Sequence, residues 1–431
     1  MTTEQPDPRK RRSCEDALVG ADPDADVDLA DFVGYTTCVT RSGAGRVALL
    51  NSDCDPQFPW WFRLLVRDCH GWVAVLPPDL RLAGPLTWSP DGSVLTVAAF
   101  RGIRRSVVAV EPDSGHWWWV NPDDDASYVD VAPGAAGRYV EAVRVELDGF
   151  RTRLRIDRDG RAVQVNQNTD SHRDERATYR LLRWPSQAGT LEGVLAVPVG
   201  RGNGPWPLVV ELHGGPVAAF QAGDVGHLPQ WCARGFAALM PEFRASGILG
   251  PDAMWQAFRG DGLPNADLEV AEICAAVSAA GETGLVDLEQ AYVIGHSYGG
   301  YLVNRIVTNA HPFRAAVCWE GLADLRLLTG TSLQMQNRWR GGSPDERPDA
   351  WAATSPVERA NRVTVPMLLV YGEHGLAVPH GEAWHAALRQ HGVLSEYVVY
   401  PGEGHLLTGP NEADLLDRAA SWFRSVSEQA G

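Results

Sequence analysis

Short apolar runs separated by clusters of Gly, Pro, Asp and Asn mark residues 31–170. Val47–Leu50, Trp72–Leu76, Val94–Ala98 and Val107–Val110 are four of them, and runs of this length bounded by turn formers predict β-strands. A weak internal repeat threads the same stretch. Trp88-Ser89-Pro90-Asp91-Gly92 precedes a predicted strand over 93–99, Val131-Ala132-Pro133-Gly134 precedes Gly137-Arg138-Tyr139-Val140, and Thr40-Arg41-Ser42-Gly43 precedes Gly45-Arg46-Val47-Ala48. Gly45, Gly92 and Gly137 stand 47 and 45 residues apart, a period that suits one four-stranded propeller blade per repeat. The stretch has room for about three blades, and closed propellers usually have four to eight. The expectation is a shortened, propeller-like all-β domain, or another β-sheet that borrows the same hairpin. The Trp117-Trp118-Trp119 run is expected to pack between such sheets.

The pattern changes after the polar bridge 171–178, from Tyr179 onward. Apolar strands are predicted at Val209–Leu212, Ala237–Met240, Ala291–Ile294, Ala315–Trp319, Met367–Tyr371 and Glu396–Tyr400. Helical spacing is predicted over Leu268–Ala279, Tyr298–Asn309, Gly381–Gln390 and Glu412–Glu428. Alternating β and α elements specify a doubly wound, mostly parallel sheet. In such sheets function sits at the carboxyl ends of the strands. The predicted organisation is a disordered tail over residues 1–30, a small β-domain over 31–170 and an α/β domain over 178–431.

Composition narrows the class of function. The chain has 38 Lys and Arg against 54 Asp and Glu, a net charge of −16. That balance argues against nucleic acid and anionic membrane surfaces as general partners. No run of about 20 apolar residues marks a membrane span, and the basic cluster Lys10-Arg11-Arg12 has no apolar segment after it, as a secretory leader would. Seven cysteines without a CxxC pair predict scattered thiols in a reducing cytoplasm and no zinc site.

The chemistry concentrates at three places. Gly295-His296-Ser297-Tyr298-Gly299 lies between a predicted strand and a predicted helix, the context in which G-x-S-x-G exposes a nucleophilic serine on a tight turn. Ser297 is the candidate nucleophile. The side chain of His296 is expected to point away from it. His213-Gly214-Gly215-Pro216 ends the strand Val209–Leu212. Its glycines let the backbone approach closely, so the amides of His213, Gly214 and Gly215, with that of Tyr298, are the candidate oxyanion donors. Pro401-Gly402-Glu403-Gly404-His405 follows the strand Glu396–Tyr400 and makes His405 the candidate general base. Ser before His is the chain order of α/β-hydrolases. His311, His374, His380, His385 and His391 are expected at the surface or in packing. This chemistry requires neither cofactor nor metal.

Residues 178–428 resemble the catalytic domain of the prolyl oligopeptidase family of serine peptidases, especially its acylaminoacyl-peptidase and dipeptidyl-peptidase type. The likeness is carried, in order, by Leu191-Glu192-Gly193-Val194-Leu195-Ala196-Val197-Pro198, His213-Gly214-Gly215-Pro216, Pro241-Glu242-Phe243-Arg244-Ala245-Ser246-Gly247, Gly295–Tyr301, Thr354-Ser355-Pro356-Val357 with Pro366–Gly372, and Pro401–His405. The resemblance implies an α/β-hydrolase domain preceded by a β-propeller, usually seven-bladed. It also places Arg244 beside the site, where it either holds a substrate carboxylate or braces its loop.

One departure changes the expectation. The family supplies its catalytic acid in a form like H-G-x-x-D-x-x-V-P, and here the stretch reads Tyr371-Gly372-Glu373-His374-Gly375-Leu376-Ala377-Val378-Pro379. By matching, the aspartate position is Gly375. Glu320, directly after the strand Ala315–Trp319, is the candidate substitute, because some α/β-hydrolases carry their acid at that strand end. Glu373 is expected to point elsewhere, and Glu403 is not the acid in the family. A site with no acid is the remaining possibility.

Three functions follow. The first is a serine hydrolase that cleaves a small peptide, amide or ester through a Ser297 acyl-enzyme. The second is a biosynthetic tailoring enzyme of secondary metabolism using the same pocket for cyclisation, acyl transfer or elimination. The third is a non-catalytic pseudo-hydrolase that binds a ligand. The expected partner is a small molecule or short peptide, with a second copy of the chain covering the open blade edges. Trp231, Trp255, Trp339 and Trp384 are weighed between core and pocket wall, and the polar segment 327–350 is a candidate lid.

Overall fold

The computed structural model describes residues 35–52, 61–68, 71–121, 123–134, 137–165, 175–200, 202, 204–216, 218–224, 226–247, 249 and 266–429. The expected tail and Trp255 lie outside them. The chain divides into two compact units, Met1–Val145 with Arg151–Asp170, and Glu146–Phe150 with Ser171–Gly431.

In the first unit three antiparallel sheets follow one another, each a four-stranded meander in chain order. They are Tyr35–Arg41 (β1), Val47–Ser52 (β2), Arg63–Asp68 (β3) and Gly71–Ala74 (β4); Leu82–Trp88 (β5), Leu95–Arg101 (β6), Arg104–Glu111 (β7) and His116–Trp119 (β8); and Ser127–Pro133 (β9), Tyr139–Val145 (β10), Arg151–Asp157 (β11) and Ala162–Gln164 (β12). The sequence repeat is one turn used three times. The amides of Ser42, Ser89 and Gly134 donate to the carbonyls of Arg46, Val94 and Tyr139, and those of Gly45, Gly92 and Gly137 donate back to the carbonyls of Ser42, Ser89 and Gly134. The three repeat glycines have φ of +81°, +71° and +58°, a region open to glycine without steric cost.

The sheets share cores. Ala48, Leu50 and Leu64 of the first pack with Leu86, Val97 and Val108 of the second. Val94, Val107 and Ala109 pack with Tyr128, Val140 and Ile156 of the third. The tryptophan run serves both cores, because side chains alternate along a strand. Trp117 and Trp119 lie against the first core and Trp118 against the second.

The second unit holds an eight-stranded sheet. To the predicted strands it adds a long hairpin, Ala177–Ser186 (β13) and Gly189–Pro198 (β14), that apolar spacing alone did not mark. Then come Trp206–Leu212 (β15), Ala237–Pro241 (β16), Val286–His296 (β17), Ala315–Trp319 (β18), Met367–Gly372 (β19) and Ser395–Tyr400 (β20). The order is β13-β14-β16-β15-β17-β18-β19-β20. The first two pairings are antiparallel and the rest parallel. Strands β16, β18 and β19 are buried at every position, and β17 is buried from Ala291 to Gly295, as parallel strands covered on both faces require. The helices are Leu228–Ala233 (α1), Ala266–Glu282 (α2), Tyr298–Val307 (α3), Gly330–Arg340 (α4), Pro348–Thr354 (α5), Val378–Gln390 (α6) and Pro410–Gln429 (α7). No helix among the described residues is long and apolar enough to cross a membrane.

Trp231 and Trp384 are fully buried, so they belong to the core and not to a pocket wall. Trp339 lies in α4, a helix of the segment weighed as a lid. The end of α4 is fastened: Arg340 is buried, donates from Nε to Thr354 Oγ1 at 3.2 Å and lies 4.6 Å over the Trp351 ring.

Candidate active site

Five neighbouring strands, β15, β17, β18, β19 and β20, deliver the site from their carboxyl ends. Ser297 sits at the turn between β17 and α3 with φ +57° and ψ −114°, a strained backbone for a residue with a side chain, costing about 1–3 kcal/mol. The turn is closed too tightly for side chains at its flanks. A Cβ on Gly299 would lie 2.7 Å from the His213 carbonyl oxygen, and one on Gly295 would lie 3.0 Å from the Gly300 nitrogen. The Ser297 amide donates to the Trp319 carbonyl at 2.9 Å, which stitches the elbow to the end of β18.

His405 lies in the loop after β20. Its Nε2 is 2.9 Å from Ser297 Oγ, and its Nδ1 is 3.1 Å from Glu320 Oε2. A carboxylate can only accept, so Nδ1 carries the proton and Nε2 is left as the acceptor for the serine hydroxyl. Glu320 is the first residue after β18, has φ +51° and is fully buried. Its Oε1 accepts the Gly372 amide at 2.6 Å and its own amide donates to Val370 O at 2.9 Å. Both carboxylate oxygens therefore have a donor, which is what lets a buried carboxylate persist at this place.

Gly375 explains the missing aspartate. A Cβ there would lie 2.6 Å from the Glu320 carboxyl carbon and closer still to both its oxygens. The glutamate from β18 occupies the volume that a side chain at 375 would need. Glu373 points elsewhere, as expected, accepting the Gly402 amide at 2.8 Å. Glu403 is held by Thr408 and Asn411 in its own loop.

The oxyanion side is backbone. A Cβ on Gly214 would lie 3.2 Å from Ser297 Cβ, so the chain of Gly214 and Gly215 runs beside the nucleophile. Tyr298 begins α3, where first-turn amides have no partner within the helix. The side chain of His213 turns inward. It stacks on Phe243 with centroids 4.3 Å apart, and its ring nitrogens lie 2.7 Å from Gly214 O and 3.0 Å from Ser246 Oγ. Arg244 is buried, and its Nε and Nη2 donate to Glu272 Oε1 at 3.0 and 2.6 Å.

Several contacts had no signal in the sequence. His296 does not simply turn away, because its Nε2 lies 2.7 Å from the His405 carbonyl. The Tyr298 hydroxyl donates to Glu269 Oε2 at 2.7 Å, and burial raises the Glu269 carboxyl to about 8. His227 is clamped between Glu211 Oε1 at 2.8 Å and Glu412 Oε1 at 3.1 Å. Its pKa is pushed up to about 9, chiefly by the Glu211 charge. Among the histidines expected in packing, His380 is buried and falls to about 4 by burial.

Residues 224–429 match the model of the prolyl oligopeptidase family. Acylamino-acid-releasing enzyme 1 of Oryza sativa subsp. japonica is 24% identical over 51% of this chain and 30% of its own length. Dipeptidyl aminopeptidase BIII of Pseudoxanthomonas mexicana is 31% identical over 52% of this chain and 34% of its own. The matched region thus spans about a third of the length of these curated relatives. Among solved structures, a Mycobacterium tuberculosis puromycin-hydrolyzing peptidase superposes with a TM-score of 0.69 at 18% identity, over 91% of this chain and 62% of that one. Pyrococcus horikoshii acylaminoacyl peptidase gives 0.67 at 15% identity, over 90% and 62%. Both likenesses concern the fold, a propeller-like β-domain followed by an α/β-hydrolase domain. Over residues 224–429, the chain carries a domain of the prolyl oligopeptidase family.

Proposed function

We propose that the protein is a serine hydrolase of the prolyl oligopeptidase type, cleaving a short peptide, amide or ester through an acyl-enzyme on Ser297. The observation that carries this is the unbroken chain from Ser297 Oγ through His405 to Glu320, at 2.9 and 3.1 Å. In this reading His405 Nε2 takes the hydroxyl proton as Oγ attacks the substrate carbonyl. The oxyanion forms against the amides of Tyr298 and of the Gly214–Gly215 turn, each such donor being worth roughly 10²–10³ in turnover. The imidazolium then gives its proton to the leaving amine or alcohol, and water repeats the sequence on the ester to free Ser297. Glu320 holds the Nδ1–H tautomer and stabilises the imidazolium, a role worth roughly 10⁴-fold in a serine peptidase. An acid supplied from β18 removes the main reason to expect a slow or inert site. It therefore weighs against the tailoring and ligand-binding readings. The relatives are named for releasing acylamino acids and for dipeptidyl aminopeptidase action, which favours a short peptide as the substrate.

The test is covalent labelling by a fluorophosphonate, read by intact mass, in wild type and Ser297→Ala. Labelling confined to the wild type is expected. An unlabelled wild type, or a Ser297→Ala variant that labels and turns over equally, overturns the proposal.

A further inference from the structure

We propose that His296 is a positioning residue that tethers the backbone of His405 and so holds the base in line with both Ser297 and Glu320. The inference rests on the serine-hydrolase reading above. His296 Nε2 lies 2.7 Å from the carbonyl oxygen of His405. A carbonyl accepts only, so the ring must present Nε2–H to it. Burial draws the pKa of His296 below its usual value, which keeps the ring neutral at neutral pH.

The same ring touches all three parts of the site. It is the residue immediately before Ser297. It lies 4.3 Å from the ring of Trp319, whose carbonyl holds the Ser297 amide and which directly precedes Glu320. It lies 4.8 Å from the His405 ring itself. The loop is fastened before His405, where the Gly402 amide donates to Glu373 and the Glu403 carbonyl accepts the His374 amide, and after it, where Leu407 is buried; the His296 bond adds a hold at His405 itself. Gly402 and Gly404 precede His405, Gly402 and Gly409 have positive φ, and Leu406 is exposed. Among the described residues, the His296 bond is the hydrogen bond on the His405 backbone. Without it the imidazole would keep its two side-chain contacts but lose the fixed Cα from which to reach both.

Misplacement of a catalytic group by about 1 Å can cost on the order of 10²-fold, which sets the expected scale. His296→Phe keeps a flat ring against Trp319 and removes the donor. His296→Gln keeps an N–H at about the reach of Nε2. With a chromogenic ester as substrate, His296→Phe is expected to lower kcat by roughly 10- to 100-fold with KM unchanged, and to slow fluorophosphonate labelling by the same factor. His296→Gln is expected to stay within about threefold of wild type on the same scale. A His296→Phe enzyme as fast as wild type overturns the tether, and so does His296→Gln falling as far as His296→Phe. Should His296→Phe not fold, nitrogen-15 imidazole spectra of the wild type decide. A ring carrying Nε2–H at pH 7 supports the tether, and a neutral Nδ1–H ring, whose Nε2 has no proton to donate, refutes it. An unlabelled wild type would instead sink the serine-hydrolase reading. A labelled wild type with an equally fast His296→Phe sinks the tether alone.

Discussion

Glu320 and a side chain at position 375 cannot both occupy the site, and that exclusion can be measured. A Cβ added at Gly375 would lie 2.6 Å from the Glu320 carboxyl carbon, and ordinary carbon–carbon contact is about 3.5–4.0 Å. The carboxylate must therefore retreat by about 1 Å. It would lose its 2.6 Å bond from the Gly372 amide, its 3.1 Å bond to His405, or both. A retreat of that size costs on the order of 10² in turnover, with the full loss of an orienting acid, roughly 10⁴, as the ceiling. Leaving a buried acceptor poorly paired adds about 1–3 kcal/mol of destabilisation. Gly375→Ala is thus expected to be a catalytic lesion with folding retained, and Glu320→Gln a deeper one. Gly375→Asp alone is expected to be poor as well, because two carboxylates sharing one place drive one of them to hold a proton. The informative variant is the exchange, Glu320→Gly with Gly375→Asp, which returns the acid to the end of β19 and clears its space. It is expected to exceed both single variants in kcat/KM on a chromogenic ester. Gly375→Ala with wild-type kcat/KM, or an exchange no better than its parents, would refute the reasoning.

Two further predictions concern groups near the site. Burial lifts the Glu269 carboxyl to about 8 from an ordinary 4.5; between those values the folded state keeps a proton that the unfolded chain releases, so stability falls as pH rises from about 4.5 to 8. Glu269→Gln, still an acceptor for Tyr298, should flatten that slope in urea midpoints at pH 5 and 8.5, and identical slopes would count against it. For His227 the folded value of about 9 stands above the ordinary 6.5, so its stabilisation is complete below about 6.5 and vanishes as pH rises through 9. His227→Gln should therefore cost up to roughly 3 kcal/mol at pH 6 and much less at pH 10, and a loss independent of pH would reject the clamp.

What could be read in advance depended on how far apart the interacting groups lie along the chain. The elbow at Ser297, the glycine pair after β15 and the position of His405 are written in contiguous residues, because the turn, the helix start and the strand end are local structures. The repeat turns at Gly45, Gly92 and Gly137 were legible for the same reason. Glu320 was legible only as one carboxylate among several. Choosing it required knowing that β18 and β19 are adjacent and that the Gly372 amide faces it. The absence at Gly375 was visible in the sequence, but its cause, the space taken by a residue 55 positions earlier, was not. The tether from His296 and the Glu269 partner of Tyr298 join elements with no shared pattern, so no periodicity announced them. The strand Ala177–Ser186 escaped because its exposed and buried positions mix too irregularly for a clean period, and Gly189–Pro198 because it is buried without a break from Leu191 to Pro198 and so shows no alternation.

The shared cores of the first unit have a consequence for where it opens. Its middle sheet gives one face to each core, and β6 and β7 are buried on both sides over most of their length, while β11 is buried at a single position. Each outer sheet leans on the middle one, and stability in stacked repeats passes between nearest neighbours. Amide protons of β6 and β7 should thus exchange with solvent only when the whole unit unfolds, whereas those of β11 and β12 should exchange through smaller openings. The repeat that made the three sheets alike in sequence leaves them unequal in protection, with the second as the last to yield.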